Sequence, residues 1–265
     1  MPLADALLEL QQLTERLRRD CPWDRAQTAV TIVPHTVEEA YEVADAAQRG
    51  DDEKLVDELG DLLFQVYFLA LLVAEHGTGD LEQVAGRIHA KLVARHPHVF
   101  GEVEARTAER VRENWERLKR EQEGREGIFH DVPRNLPALM YARKIQRRAA
   151  AVGFEYPDTS GAVADLEDEL GELAAALEDD GRARSPEQEA DPEVAGEVGD
   201  VLFAAVNVAR RLNVDPELAL RSVSDRFVAR VEQAERLAAE DGRRFEQLPL
   251  EEQDRYFDRA KDALR

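Results

Sequence analysis

The sequence predicts an all-α protein built from two copies of one helical unit, and three observations carry that expectation. Apolar residues recur with helical spacing through nearly every patterned segment, and no run of alternating β-branched residues suggests a sheet. Glu58-Leu59-Gly60-Asp61-Leu62-Leu63-Phe64 returns as Glu197-Val198-Gly199-Asp200-Val201-Leu202-Phe203. Ahead of each, in the same order, Glu39-Ala40-Tyr41-Glu42 returns as Glu169-Leu170-Gly171-Glu172. Ordered recurrence of this kind marks a tandem duplication.

Leu3, Leu7, Leu10, Leu13 and Leu17 share a face and predict a first helix over 3–19, stopped by Pro22. A second helix is expected over 37–49, with Gly50-Asp51-Asp52 as the turn before a third over 55–75. His76 to Asp80 forms another turn, and Asp80 is placed to N-cap a helix over 81–95 that Pro97 ends. A charged helix over about 104–123 closes the first copy. The polar stretch 124–135, with two Gly and one Pro, then separates residues 1–123 from residues 136–265 as a linker. In the second copy, 136–152, 163–178 and 192–212 answer the first three helices, and Asp215-Pro216 opens a further one to about 237. Residues 179–191, rich in Asp, Glu, Arg, Gly and Pro, replace a short turn and read as a mobile loop.

The chain has 265 residues, with 56 acids against 35 bases and a formal charge of −21. At 43% hydrophobic residues it is apolar enough to fold despite 34% charged residues. The acidic excess disfavours long nucleic acids and anionic membrane surfaces, which are bound by clustered Lys and Arg. The lone Cys21 forms no internal disulfide, and no Cys/His spacing resembles a zinc site. The opening segment is interrupted by Asp5, Glu9, Glu15 and Arg16 and does not read as a secretory signal. The longest uncharged apolar stretch, residues 62–74, is too short to span a bilayer. Cytoplasmic residence is the default expectation.

Acids three residues apart are common in so acidic a chain, and Glu113/Glu116, Glu123/Glu126, Glu232/Glu235 and Glu251/Asp254 read as solvated faces. Glu39/Glu42 with Glu58/Asp61, and Glu169/Glu172 with Glu197/Asp200, stand apart. They are duplicated, they come as two helix-borne pairs per copy, and Asp61 and Asp200 run straight into apolar helices. Positions i and i+3 share a helix face, so two such helices packed together converge four carboxylates. Left unneutralised, that convergence is costly. A divalent cation resolves it, and an all-oxygen donor set favours Mg2+, with Mn2+ as a substitute. Gly60, Gly171 and Gly199 inside these pairs each cost about 1 kcal/mol of helix propensity, which close approach of a helix or ligand would explain. Ferritin-like di-iron bundles are the rival, but their Glu-x-x-His pairs do not occur.

Lys91 with Arg95 is answered by Arg226 with Arg230, two cations one turn apart that suit either neighbouring acids or a polyphosphate. Trp115 with Lys119 is answered by Phe257 with Lys261, an aromatic that is either core or a base-stacking surface. His96-Pro97-His98 lacks a counterpart and reads as a helix-ending turn. Gly77-Thr78-Gly79 lacks a third glycine, and no Walker-type Gly-Lys-Ser/Thr exists.

Taken in order, Cys21-Pro22-Trp23-Asp24, Glu38-Glu39-Ala40-Tyr41-Glu42, the 58–64 acidic segment, His96-Pro97-His98-Val99-Phe100, Val152-Gly153-Phe154 and the second acidic set resemble the MazG family of nucleoside triphosphate pyrophosphohydrolases. The resemblance covers almost the whole chain and includes the two-repeat layout. It implies an all-α fold in which each repeat forms a four-helix-type bundle on dimerisation, hence a homodimer. It implies Mg2+-dependent hydrolysis of a nucleoside triphosphate to the monophosphate and pyrophosphate, clearing aberrant or surplus nucleotides. Glu169, Glu172, Glu197 and Asp200 would then bind metal, with Glu39, Glu42, Glu58 and Asp61 as the matching set. Arg226 and Arg230 would face the phosphates, and Phe257, where the family carries Trp, would lie near the base. Glu38 or Glu39, and Asp168 or Glu169, are the candidates to take a proton from the attacking water. Other readings remain: a non-catalytic dimeric regulator binding nucleotide or protein, or a narrower dUTPase-like or phosphoribosyl-ATP pyrophosphohydrolase.

Overall fold

The computed structural model describes residues 2–101, 127–180 and 191–265. Among them every regular element is a helix, as the all-α expectation requires. The helix expected over 104–123, with Trp115 and Lys119, lies outside the described residues, as does most of the 179–191 insertion. The chain divides into two compact units, Met1–Glu123 and Gly124–Arg265.

The first unit opens with α1 (Leu3–Asp20), and Pro22 does more than stop it. As the first residue of the short α2 (Pro22–Ala26), Pro22 supplies a φ already suited to a helix and gives up an N–H that would lack a partner there. Helix α3 (Ala29–Arg49) starts two turns earlier than the expected 37–49. Thr28 and Thr31 form a reciprocal capping box, and Pro34 is carried inside the helix. Gly50, left-handed at φ 66°, closes α3. Asp51 then accepts the Lys54 N–H at 3.0 Å and caps α4 (Asp52–Glu75). Asp80 caps α5 (Leu81–Arg95) as expected, accepting from Gln83 N at 2.7 Å, and Pro97 opens the short α6 (Pro97–Phe100).

Helix α3 packs along α4, and α1 crosses α4 as well. Phe68, fully buried on α4, meets Ile32 of α3 and Leu72, with Phe64 and Leu69 around them. Arg18 of α1 donates to Glu75 from Nε at 2.7 Å and from Nη2 at 2.8 Å, and to the Gln27 carbonyl at 3.1 Å. One guanidinium thus fixes α1, the loop before α3 and the end of α4 together.

The second unit contains α7 (Ala138–Ala150), α8 (Thr159–Asp180), α9 (Pro192–Arg211), α10 (Pro216–Glu240) and α11 (Leu250–Ala263), with a 3-10 turn at Phe245–Gln247. Helix α8 begins before the expected residue 163 because Asp158 accepts the Gly161 N–H at 3.1 Å. Asp215 caps α10 through Glu217 N and Leu218 N, both at 3.1 Å. Helices α8 and α9 pack together, as α3 and α4 do in the first unit, and α7 rests on α9 and α10. Ala234 and Ala238 of α10 let Tyr256 and Ala260 of α11 approach closely, making the second core.

Candidate metal centres

The packed pairs α3/α4 and α8/α9 position the acids. Side-chain oxygens of Glu39, Glu42 and Glu58 lie within 4.8 Å of one another, and so do those of Glu169, Glu172 and Glu197. Each trio takes two residues one turn apart on one helix and one from its neighbour. Asp61 and Asp200, the expected fourth members, are exposed on the adjoining turns. Their charges act on Glu39 and Glu169.

Electrostatics separate the two clusters. Burial, followed by the charges of Asp61, Glu42 and Glu58, raises the Glu39 pKa above the ordinary carboxylate value. Glu42 is raised by its hydrogen bond with Glu58 and by that residue's charge. Glu58 moves the other way. Only 1% exposed, it is met by the Lys54 ammonium one turn earlier, and that hydrogen bond lowers its pKa. In the second cluster, burial and then the charges of Glu172 and Asp200 raise Glu169. By the alignment of Glu58 with Glu197, the position answering Lys54 is Glu193. Oε2 of Glu197 is buried with no hydrogen-bond partner among the described residues.

Such a donor set fits a hard divalent cation. All ligand atoms are carboxylate oxygens, their mutual distances allow one ion to be shared, and the second cluster holds a buried oxygen awaiting a positive partner. Among the described residues the expected close approach at the glycines is not made. An added Cβ at Gly60, Gly171 or Gly199 meets nothing within 4 Å.

The remaining expected residues sit as follows. Glu38 is exposed, with His35 Nδ1 3.7 Å away, and Asp168 is exposed on α8. Lys91 is exposed on α5, whereas Arg95, one turn on, is 7% exposed. Arg226 donates to Ser222 Oγ at 3.1 Å, and Arg230 is half-buried on the same helix. Phe257 of α11 tilts against Phe227 of α10 at 5.7 Å between centroids, and the Lys261 ammonium stands 4.9 Å from the Phe257 ring. Sequence reasoning did not find Lys54 as a partner of the first cluster. The signal was present as an i, i+4 Lys–Glu pair whose lysine is replaced by an acid in the second copy.

Fold and site together define a helical protein whose units each gather carboxylates from two packed helices. Residues 27–100 match the MazG nucleotide pyrophosphohydrolase domain. A nucleoside triphosphate pyrophosphohydrolase of Escherichia coli K12 is 38% identical over 97% of this chain and 96% of its own. The nucleoside triphosphate pyrophosphohydrolase/pyrophosphatase MazG of Thermotoga maritima is 38% identical over 96% of this chain and 94% of its own. A solved structure of a mazG-related protein from Thermotoga maritima covers 42% of this chain and 97% of its own, at 28% identity and a TM-score of 0.38. The chain belongs to the MazG nucleotide pyrophosphohydrolase family.

Proposed function

We propose that this protein is a hydrolase that converts nucleoside triphosphates to the monophosphate and pyrophosphate in the presence of Mg2+, for which Mn2+ can substitute. The observation that carries the reading is the paired convergence of carboxylates, with Glu197 Oε2 left without a partner among the described residues, in a chain of this family. Glu169, Glu172, Glu197 and Asp200 hold the cation in the second unit, and Glu39, Glu42, Glu58 and Asp61 are the matching set in the first. When bound, the cation lowers the pKa of a water and offsets charge on the departing pyrophosphate.

The chain's own groups do the rest. Arg226 and Arg230 hold phosphate oxygens, with Lys91 and Arg95 as their counterparts. Trp115, Lys119, Phe257 and Lys261 belong to the same substrate-binding set. The water's proton goes to a carboxylate at the cluster edge, Asp168 or Glu169 in the second unit and Glu38 or Glu39 in the first. We place the main site in the second unit, where the ion-pairing lysine of the first has no equivalent.

A second copy of the chain completes each bundle. Leu59, Leu63 and Val66 of α4, and Val198 and Leu202 of α9, are large apolar residues 37% to 53% exposed in one chain, an apolar surface that a partner would cover. Among the described residues no helix is long and apolar enough to cross a membrane. The function is tested by measuring monophosphate and pyrophosphate from a nucleotide panel, with Mg2+ and with chelator. Stoichiometric, metal-dependent pyrophosphate supports it, and nucleotide binding without product contradicts it.

A further inference from the structure

Helix α10 ends on an acid, at the end where an acid is least welcome. A helix C-terminus carries partial negative charge, which favours Lys, Arg or His there and disfavours a carboxylate. Asp241 is nevertheless the C-cap residue of α10, and Gly242, left-handed at φ 71°, turns the chain away behind it. Two donors from one neighbouring helix hold the carboxylate. Asp241 Oδ2 accepts from the Tyr256 hydroxyl at 3.0 Å and from Arg259 Nη1 at 2.8 Å, both on α11. The Arg259 guanidinium also lies 5.0 Å from the centre of the Tyr256 ring. The bond from Arg259, and then that from Tyr256, keeps the Asp241 carboxyl below its ordinary pKa.

Stability alone does not account for this arrangement. Arg259 is 50% exposed and Asp241 46%, and an ion pair so open to water contributes little. What the bonds fix is direction. Tyr256 and Ala260 form the buried face of α11, packed on Ala234 and Ala238 of α10. Phe257 follows Tyr256 by one residue, about 100° around the helix, and Lys261 lies one turn further on the same side. On that side the Phe257 ring meets Phe227 of α10 at 5.7 Å, and the Lys261 ammonium stands 4.9 Å from the Phe257 ring. A rotation of α11 that breaks the Asp241 bonds therefore also swings Phe257 off Phe227.

The start of α11 is tied in the same sense. Arg243, two residues after Asp241, pairs with Glu252, and Gln253 Nε2 donates to the Phe245 carbonyl at 2.9 Å. Phe227 remains 57% exposed, so the aromatic pair that this bracing holds in place faces solvent rather than the core.

We infer that Asp241 is a positioning residue: by fixing the rotation of α11 it presents the Phe257 ring and the Lys261 ammonium to the nucleoside triphosphate. The inference deepens the proposed function and rests on it for Phe257 as a substrate contact. Asp241→Ala removes both bonds, Tyr256→Phe removes one and keeps the core ring, and Phe257→Ala removes the group through which Asp241 acts. KM and kcat for the preferred triphosphate are measured on the full chain, for each single variant and for Phe257→Ala combined with either of the others. Circular dichroism checks helix content. Phe257→Ala should raise KM about tenfold, the loss of one stacked base. Asp241→Ala should raise KM about threefold or more, and Tyr256→Phe by less, as an aromatic contact loses its geometry. In both, kcat should hold within about twofold, and each double variant should match Phe257→Ala alone within the same margin, since groups acting through one another are not additive. An unchanged KM in Asp241→Ala, or effects that multiply in the double variant, overturns the positioning role. Should Asp241→Ala fail to fold, Tyr256→Phe and its double variant decide by the same criteria. An unchanged KM in Phe257→Ala overturns the reading of Phe257 as a substrate contact, and the positioning role falls with it. A wild type that releases no pyrophosphate sinks the proposed reaction, and the same set of variants, read as calorimetric dissociation constants for ATP, then decides the role of Asp241.

Discussion

The ammonium of Lys54 meets the buried carboxylate of Glu58 one turn along α4. The residue answering Lys54 in the second unit is the acid Glu193. A positive charge built into one carboxylate cluster and withheld from its duplicate makes the two sites unequal for cations. Each added charge on a cluster acts on any ion placed there, more strongly as water is excluded. Mn2+ titration followed by electron paramagnetic resonance should therefore resolve a tighter site in the second unit. Lys54→Ala should strengthen the weaker site several-fold, and Glu193→Lys should weaken the tighter one. Equal affinities in all three proteins would contradict the ranking.

Stability without metal should carry the signature of these carboxyls. Glu39, Glu42 and Glu169 have raised pKa values in the folded state, relative to 4.5 for an unperturbed glutamate. A raised carboxyl contributes stability that is fully present below pH 4.5 and lost as pH rises through the folded value. Glu58, lowered by Lys54, contributes with the opposite sign and loses its share only as pH falls through its depressed value. Thermal unfolding with chelator should show the second unit weakening from mildly acidic to neutral pH. Addition of Mg2+ should raise Tm more at pH 7.5 than at pH 5. A metal effect equal at both would contradict the link between these raised carboxyls and cation binding.

Phe68→Ala removes a large apolar side chain that is fully buried where α3 packs on α4. Its loss should cost about 3–5 kcal/mol of first-unit stability, read by urea denaturation. A cost below about 1 kcal/mol would mean that the surrounding helices collapse onto the gap.

Arg18→Ala should cost about 1–3 kcal/mol, because the guanidinium serves a carboxylate and the Gln27 carbonyl at once and is only 18% exposed. The companion Glu75→Gln should cost less, since its carboxylate is 39% exposed and the carbonyl contact survives. Equal losses would place the value in the ion pair alone.

Most helices were legible from local signals. The leucines of α1, the caps Asp80 and Asp215, and the duplicated acid pairs announce themselves at fixed spacing. What was missed has a common cause. The second helix was expected only from residue 37, yet the Thr28–Thr31 box starts α3 upstream and the helix carries Pro34 inside it while packing on α4. Pro22 and Pro97 read as stops but also begin short helices. The carboxylate trios could be foreseen because helix periodicity brings i and i+3 together. The cavity in the second unit beside Glu169 could not, because its lining residues Phe129, Gln146 and Asn207 meet only through tertiary packing.

The most direct test of the account is pyrophosphate release measured on two double variants, Glu172→Gln/Asp200→Asn and Glu42→Gln/Asp61→Asn, each checked for folding by circular dichroism. The account predicts that the second-unit variant falls to the uncatalysed background while the first-unit variant retains most of its Mg2+-dependent activity. Full activity in the second-unit variant, with loss in the first, would contradict it and move the working site to the α3/α4 cluster.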